Sequence, residues 1–208
     1  MTKNEVFTSR CLLAVATVAA LMLAGCGILP RVSEPVDLYT LTPKTTFGDT
    51  LPQVDWQLVV DKPSAPAGIE SARLALSRSP YTLEYFARAS WTDSAPAMVQ
   101  RLLIESFESS GKIVGVGREA IGLRSDYILV SDLREFEAVY DAGDGPPEAW
   151  VRLNVKLVQM PERRIVASQT VESRIRATGT AITDIVAAFD EALGKVLKDI
   201  VIFTLAAR

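Results

Sequence analysis

The sequence predicts an α+β fold: an antiparallel sheet of about five to seven strands with two helices packed on one face, a two-layer sandwich. Three observations lead there. Between Tyr127 and Arg176 apolar and polar residues alternate in three successive runs, the pattern of antiparallel strands with one buried and one wet face. Near the C-terminus Ile182, Ile185, Val186, Phe189, Leu193, Val196, Leu197 and Ile200 recur at helical spacing, which predicts a long amphipathic helix. A shorter stripe, Val99, Leu102, Leu103 and Phe107, predicts another helix between two groups of strands.

Ahead of this domain lies a leader. Lys3 and Arg10 form a modest basic region, and Cys11 to Leu23 carries no charge, which is the form of a secretory signal peptide. It ends in Leu23-Ala24-Gly25-Cys26, a lipobox. Leu23, Ala24 and Gly25 are the signal peptidase recognition residues, and the Cys26 thiol is the one group that can be thioether-linked to diacylglycerol. The expected organisation is therefore a signal peptide over residues 1–25, a lipidated N-terminus and tether over 26–55, and the folded domain over 56–208. The competing reading is a transmembrane anchor, because the uncharged run reaches Leu29, close to the roughly 20 residues that span a bilayer. Gly25, Gly27 and Pro30 interrupt that run, and the lipobox accounts for them. Of the two cysteines, Cys11 leaves with the leader and Cys26 is consumed by lipid, so no disulfide or thiolate chemistry is expected.

The mature chain is read element by element. Pro30, Pro35, Pro43 and Pro52 mark the tether, within which Val36 to Pro43 reads either as solvated linker or as an edge strand. Short strands are expected at Gln57 to Val60, Arg73 to Ser77 and Tyr81 to Ala87, the last two joined as a hairpin through Ser79-Pro80. Asp93 or Ser94 caps the first helix, Pro96 sits in its first turn, and Gly111 supplies a left-handed stop. Trp91, just before the cap, is expected to staple the helix entry against the core. Gly115-Val116-Gly117 reads as a turn or strand edge.

Tyr127 to Tyr140 is a long strand whose alternation slips near Glu135, which predicts a bulge. Trp150 to Val158 follows, then a turn over Met160 to Arg163. Ile165 to Arg176 returns with Ile165, Ala167, Val171 and Ile175 inward. The last helix runs from about Ala181 to Leu205, capped by Thr180, with Glu191 and Lys195 as an i,i+4 pair.

The chemistry is defined largely by what the chain lacks. It contains no histidine, which removes Ser-His-Asp and Cys-His catalysis and the commonest metal ligand. Twenty-two basic and 25 acidic side chains give a net charge of −3, no footprint for nucleic acid. Asp141 and Asp144 resemble a fragment of a calcium loop without its terminal glutamate. Glu135 and Glu137 share one strand face and are read as part of a wet surface. The expectation is no catalytic residue, no metal site, no enzyme, and no cofactor beyond the covalent lipid on Cys26.

Several segments in order resemble a known family. Tyr39-x-Leu41-x-Pro43 follows the lipobox; Tyr81-x-Leu83-x-Tyr85 leads into Trp91-Thr92-Asp93 and the helix from Met98 to Leu103, which ends at Phe107-Glu108-Ser109-Ser110-Gly111. The strand with Leu133-Arg134-Glu135-Phe136 and the terminal helix complete the match. Together they resemble the auxiliary lipoproteins of MCE-type ABC transport systems, including the paraquat-inducible intermembrane transport type. One departure is Ser94-Ala95-Pro96, where such proteins often place the proline nearer the tryptophan.

The resemblance implies a non-enzymatic docking or bridging lipoprotein, working beside an ABC permease, its ATPase and an MCE-domain protein in moving phospholipid or other hydrophobic molecules. Tyr39, Leu41, Pro43 and Trp91 are then the candidate partner-binding residues. The alternatives are a stand-alone lipid-binding carrier and an outer-membrane assembly subunit, and a homo-oligomer is compatible with each. Gly27 after Cys26, with no Asp there, points to the outer rather than the inner membrane.

Overall fold

The three alternating runs form the strands that their pattern predicts. They are β6 (Tyr127–Val139), β7 (Glu148–Gln159) and β8 (Arg164–Arg176), paired antiparallel as a meander. In this computed structural model residues 35–48, 51–119, 125–141 and 145–207 are described, and from Val36 onward the chain is one compact unit. The leader, Leu23, Ala24, Gly25, Cys26 and the tether up to residue 34 lie outside the described residues, as does Asp144.

The other strands are β1 (Asp37–Tyr39), β2 (Val54–Val60), β3 (Arg73–Ser79), β4 (Thr82–Trp91) and β5 (Ile113–Gly117). The helices among the described residues are α1 (Ala95–Ser110) and α2 (Ile182–Ala206). The strands of the described residues join one 8-stranded sheet, which corrects the expected antiparallel sheet of five to seven strands. The sheet is mixed. β3 pairs antiparallel with β4, as the hairpin reading requires, but β1–β4, β2–β5, β2–β6 and β3–β6 are parallel.

The physical reason lies in the crossovers. Helix α1 carries the chain back along the sheet, so β5 can lie beside β2 in the same direction. The long strand β6 meets two shorter partners end to end on one side: Leu58–Val60 pair with Tyr127–Leu129, and Ala75–Ser77 with Glu137–Val139. Ser64 bridges Asp132 between them, so the chain leaving β2 keeps following β6 before it departs and returns as β3.

Both helices cover one face. Val99, Leu102, Leu103 and Phe107 from α1 and Ile185, Phe189, Leu193, Val196, Leu197 and Ile200 from α2 are fully buried. They meet Leu129, Leu133 and Phe136 of β6 and Val151, Leu153, Val155 and Leu157 of β7. At the centre Trp91, Phe136 and Phe189 form a triangle with ring centroids 5.2–5.6 Å apart.

Local signals held unevenly. Gly111 is left-handed at φ 60°, and its N–H bonds to the Glu108 carbonyl, a stop that glycine adopts without a Cβ penalty. Ser94 is the N-cap of α1 but makes no side-chain cap bond; the Asp93 carboxylate instead accepts from the Ser94 N–H at 2.8 Å. Ala181, not Thr180, caps α2. Glu191 and Lys195 pair at 2.8 Å. The register shift between Leu133 and Glu135 is the bulge that the slipped alternation predicts. A second shift, between Leu157 and Val158, places Ile165 opposite Val158, so Ile165 is 56% exposed on the outer face rather than inward.

Candidate docking groove on the open sheet face

The segment between Val36 and Pro43 takes the edge-strand form and not that of a linker, with Val36 and Leu38 still exposed. It opens as strand β1, paired parallel with Ala89–Trp91, and its residues continue as a strap over the helices. Thr42 donates from its N–H (2.7 Å) and its hydroxyl (2.9 Å) to the Asp190 carboxylate of α2. The Lys44 N–H donates to Ser106 Oγ of α1 at 2.9 Å.

Of the candidate residues, Leu41 and Trp91 are buried at 3% and 1%, so they serve the core; Tyr39 and Pro43 keep part of their surface. The strap therefore brings Tyr39, Leu41 and Pro43 to the rim of the helical layer rather than assembling an open site.

The opposite face of the sheet carries a groove. The alternation that buries Val151 and Leu153 must turn Trp150 and Arg152 outward. Registers then fix the neighbours. Glu137 faces Trp150, which faces Arg174; Glu135 faces Arg152, which faces Glu172. Without the bulge at Arg134, Glu135 would point into the core.

The β3–β4 hairpin closes this array from the side. Together they line an open groove of about 720 Å³, whose lining includes Tyr81, Leu83, Val139 and Tyr140. That volume lies in the range of small-molecule or peptide side-chain sites. Behind the hairpin Gly68 lies against Leu83, and the Tyr85 hydroxyl donates to the Gly68 carbonyl at 3.0 Å, which fixes the hairpin's lean.

The electrostatics of the groove follow from that enclosure. Burial pushes the Glu137 carboxyl above its ordinary value, the neighbouring Glu135 adds to the rise, and Arg174 opposes it. Burial also raises Glu135, with Glu172 adding to the rise while Arg152 and Arg174 pull it down. Tyr140 is raised by burial, against the pull of Arg78. Neither Glu135 nor Glu137 makes a hydrogen bond or an ion pair among the described residues.

The nearby guanidiniums also have close partners of their own. Arg174 stacks on Trp150 at 3.8 Å and reaches Glu148 at 4.0 Å; Arg78 stacks on Tyr140 at 4.5 Å. The Trp150 indole N–H is enclosed and has no acceptor among the described residues. The groove thus sets two carboxylates, Glu135 and Glu137, beside the guanidiniums of Arg78 and Arg174 and the rings of Tyr140 and Trp150. Among the described residues no group of three or more acidic, cysteine or histidine side chains could hold a metal ion.

Sequence reasoning assigned Glu135 and Glu137 to the correct face but took that face as fully wet. It did not single out Tyr140, Trp150 or Arg174. One signal was present: Trp150 is an aromatic residue on the polar side of a strand that otherwise shows Arg152, Asn154 and Lys156 there.

The family model for the ABC-type transport auxiliary lipoprotein component matches residues 39–201. The chain belongs to this family. The match runs from the last residue of β1 through most of α2, so strands β2 to β8, α1 and the groove fall inside it.

The crystal structure of XCC0632 from Xanthomonas campestris is 36% identical, with a TM-score of 0.77 over 82% of this chain and 95% of that one. Another crystal structure, of an uncharacterized protein, is 14% identical with a TM-score of 0.63 over 81% and 97%, a likeness of fold. The uncharacterized protein bll6063 of Bradyrhizobium diazoefficiens is 28% identical over 188 residues, 89% of this chain. The chain spans about half (50%) of that relative's length. Family membership places the protein with ABC-type transport systems and is consistent with a cell-envelope location.

Proposed function

We propose that the protein is a non-enzymatic docking or bridging subunit of an MCE-type ABC transport system, facing the periplasm and moving phospholipid or other hydrophobic molecules with its partners. The observation that carries the reading is the family match over residues 39–201. The groove adds support, because an open concave array of aromatic and charged side chains is suited to recognition. No catalytic group, metal or cofactor enters the reading; the one covalent addition is lipid on Cys26.

Cys26 holds the domain at a membrane, in our reading the outer one. Only about nine residues separate it from Val36, the first residue of the compact unit. At most roughly 30 Å of extended chain then lies between lipid and domain. Triple acylation anchors firmly, since each buried CH₂ contributes about 0.8 kcal/mol.

A self-sufficient lipid carrier is the less favoured alternative. It would need room between sheet and helices, and Trp91, Phe136, Phe189 and Leu193 fill that layer. Solubilised from its own membrane after crosslinking in cells, the full chain should co-purify with permease, ATPase and MCE-domain subunits. Recovery of none of them would contradict the proposal. Labelling with palmitate should fail for Cys26→Ser; retained label on that variant would refute the anchor.

A further inference from the structure

The geometry points to the β1 edge of the sheet as a membrane-facing surface, with Val36 and Leu38 set into the boundary between headgroups and acyl chains. This rests on the lipid anchor proposed above for Cys26, and the side of the domain that meets the lipid is new.

The apolar side chains come first. Val36 and Leu38 are 51% and 65% exposed. They alternate with Tyr39 and Leu41, which pack toward the helical layer, so both point away from it. β1 therefore turns aliphatic side chains outward although it stands at the end of the sheet. The middle of β8, at the opposite end, shows Ser168, Thr170 and Glu172 outward instead. Tyr39 keeps part of its surface at the β1 edge, and a tyrosine with an apolar body and a polar tip suits a bilayer interface.

Reach selects the occupant. The compact unit begins at Val36, so the first residues beyond the short tether are those with outward aliphatic side chains. Such a tether holds the adjoining edge at an effective concentration on the order of millimolar. A contact too weak to recruit the domain from solution then holds once Cys26 is acylated. Asp37, the one charged residue of β1, is acidic, so apolar burial and not attraction to anionic headgroups drives the contact.

With β1 on the lipid the sheet stands on its edge. β4, β3, β6, β7 and β8 follow in turn, and five steps of about 4.8 Å put β8 roughly 24 Å farther out. The open face and its groove then look sideways, toward a neighbouring protein in the same membrane.

The test uses the acylated protein in phosphatidylcholine vesicles that contain a lipid with a nitroxide headgroup. An inserted cysteine is its free thiol, since Cys11 leaves with the leader and Cys26 carries lipid. Asp37→Cys and Ile165→Cys, exposed positions on β1 and β8, each receive a fluorophore. The nitroxide should quench the label at position 37 strongly and the label at position 165 little. Salt at about 1 M should leave that difference intact, because the contact is apolar. Adding Val36→Ser with Leu38→Ser should remove most of the quenching at position 37. The Thr42 amide should keep its slow hydrogen exchange there, which shows the strap still seated on Asp190. Equal quenching at the two positions overturns the proposal, with or without the serine variant. Undiminished quenching in that variant overturns it too. A label at position 37 that is shielded from water but not quenched by lipid overturns it in favour of a protein occupant.

Flotation with the vesicles is scored in the same samples. If the acylated protein does not float, the anchor reading fails and the edge assignment falls with it. If it floats and positions 37 and 165 are quenched alike, the edge assignment fails and the anchor stands.

Discussion

On the helix-covered face of β7, Val151, Leu153, Val155 and Leu157 are all fully buried, whereas on its open face Trp150, Arg152 and Asn154 are only part-buried and Lys156 is exposed. The same strand thus serves two environments. One is a close-packed apolar layer in which every side chain has the same task. The other is a graded surface, enclosed at the Glu137–Trp150–Arg174 end and open elsewhere. The difference teaches that stability is concentrated on one side of this sheet, and that partly desolvated charge is kept on the other.

The sharpest way to break that contrast is to truncate neighbours on opposite faces. Leu153→Ala should lose about 2–5 kcal/mol in denaturant unfolding, as buried leucines do. Asn154→Ala, one residue on, should lose under about 1 kcal/mol, because its bonds to the Gln169 carbonyl and Thr170 hydroxyl are exposed. Equal losses would remove the distinction between the faces.

The strap ties the covered side shut. Asp190→Ala removes the acceptor of both Thr42 bonds and should cost about 1 kcal/mol, since the site is exposed. Hydrogen exchange at Thr42 should quicken in the variant while the amide of Leu153 in β7 keeps its protection. Unchanged exchange at Thr42 would show that the strap holds without that carboxylate.

A smaller effect tests the bulge. Ile165→Lys should change stability by no more than about 0.5 kcal/mol, as exposed substitutions do. Val171→Lys, on the inward face of the same strand, should be strongly destabilising. A costly Ile165→Lys would argue that Ile165 points inward after all.

The smallest effect concerns charge in the groove. The Glu137 carboxyl is raised by burial, so the folded state favours its neutral form. Its contribution to stability is present below the ordinary carboxyl range near pH ~4 and is lost as pH rises through the raised value. Glu137→Gln, neutral at every pH, should therefore melt slightly higher than the parent at pH 7, and the gap should close as the pH falls below about 4. A variant that melts lower at pH 7 would mean that the charged carboxylate is stabilising where it sits.

How much of this was legible in the sequence divides along the same line. The two helical stripes and the meander are set by the period of burial, so Phe107, Phe189 and Leu153 fall on the expected faces. Even the Glu135 bulge leaves a trace, because a slipped alternation is itself a periodicity signal. Which strands become neighbours leaves none. The parallel partners of β6 arrive through connections of many residues, and β5 is a five-residue edge strand with two glycines, too short and too small to alternate. The groove was hidden for a similar reason. Glu137 is partly enclosed by a hairpin from Ser77 to Leu83, far away in sequence, and nothing near Glu137 encodes that lean.

The central claim is that the open face, not the helical layer, meets the transporter. A photo-crosslinking residue placed in living cells at Tyr81, on the groove rim, and separately at Asp199, on the exposed side of α2, tests it most directly. The account predicts crosslinks from Tyr81 to an MCE-domain or permease subunit and none from Asp199. Transporter subunits captured through Asp199, with none through Tyr81, would contradict it.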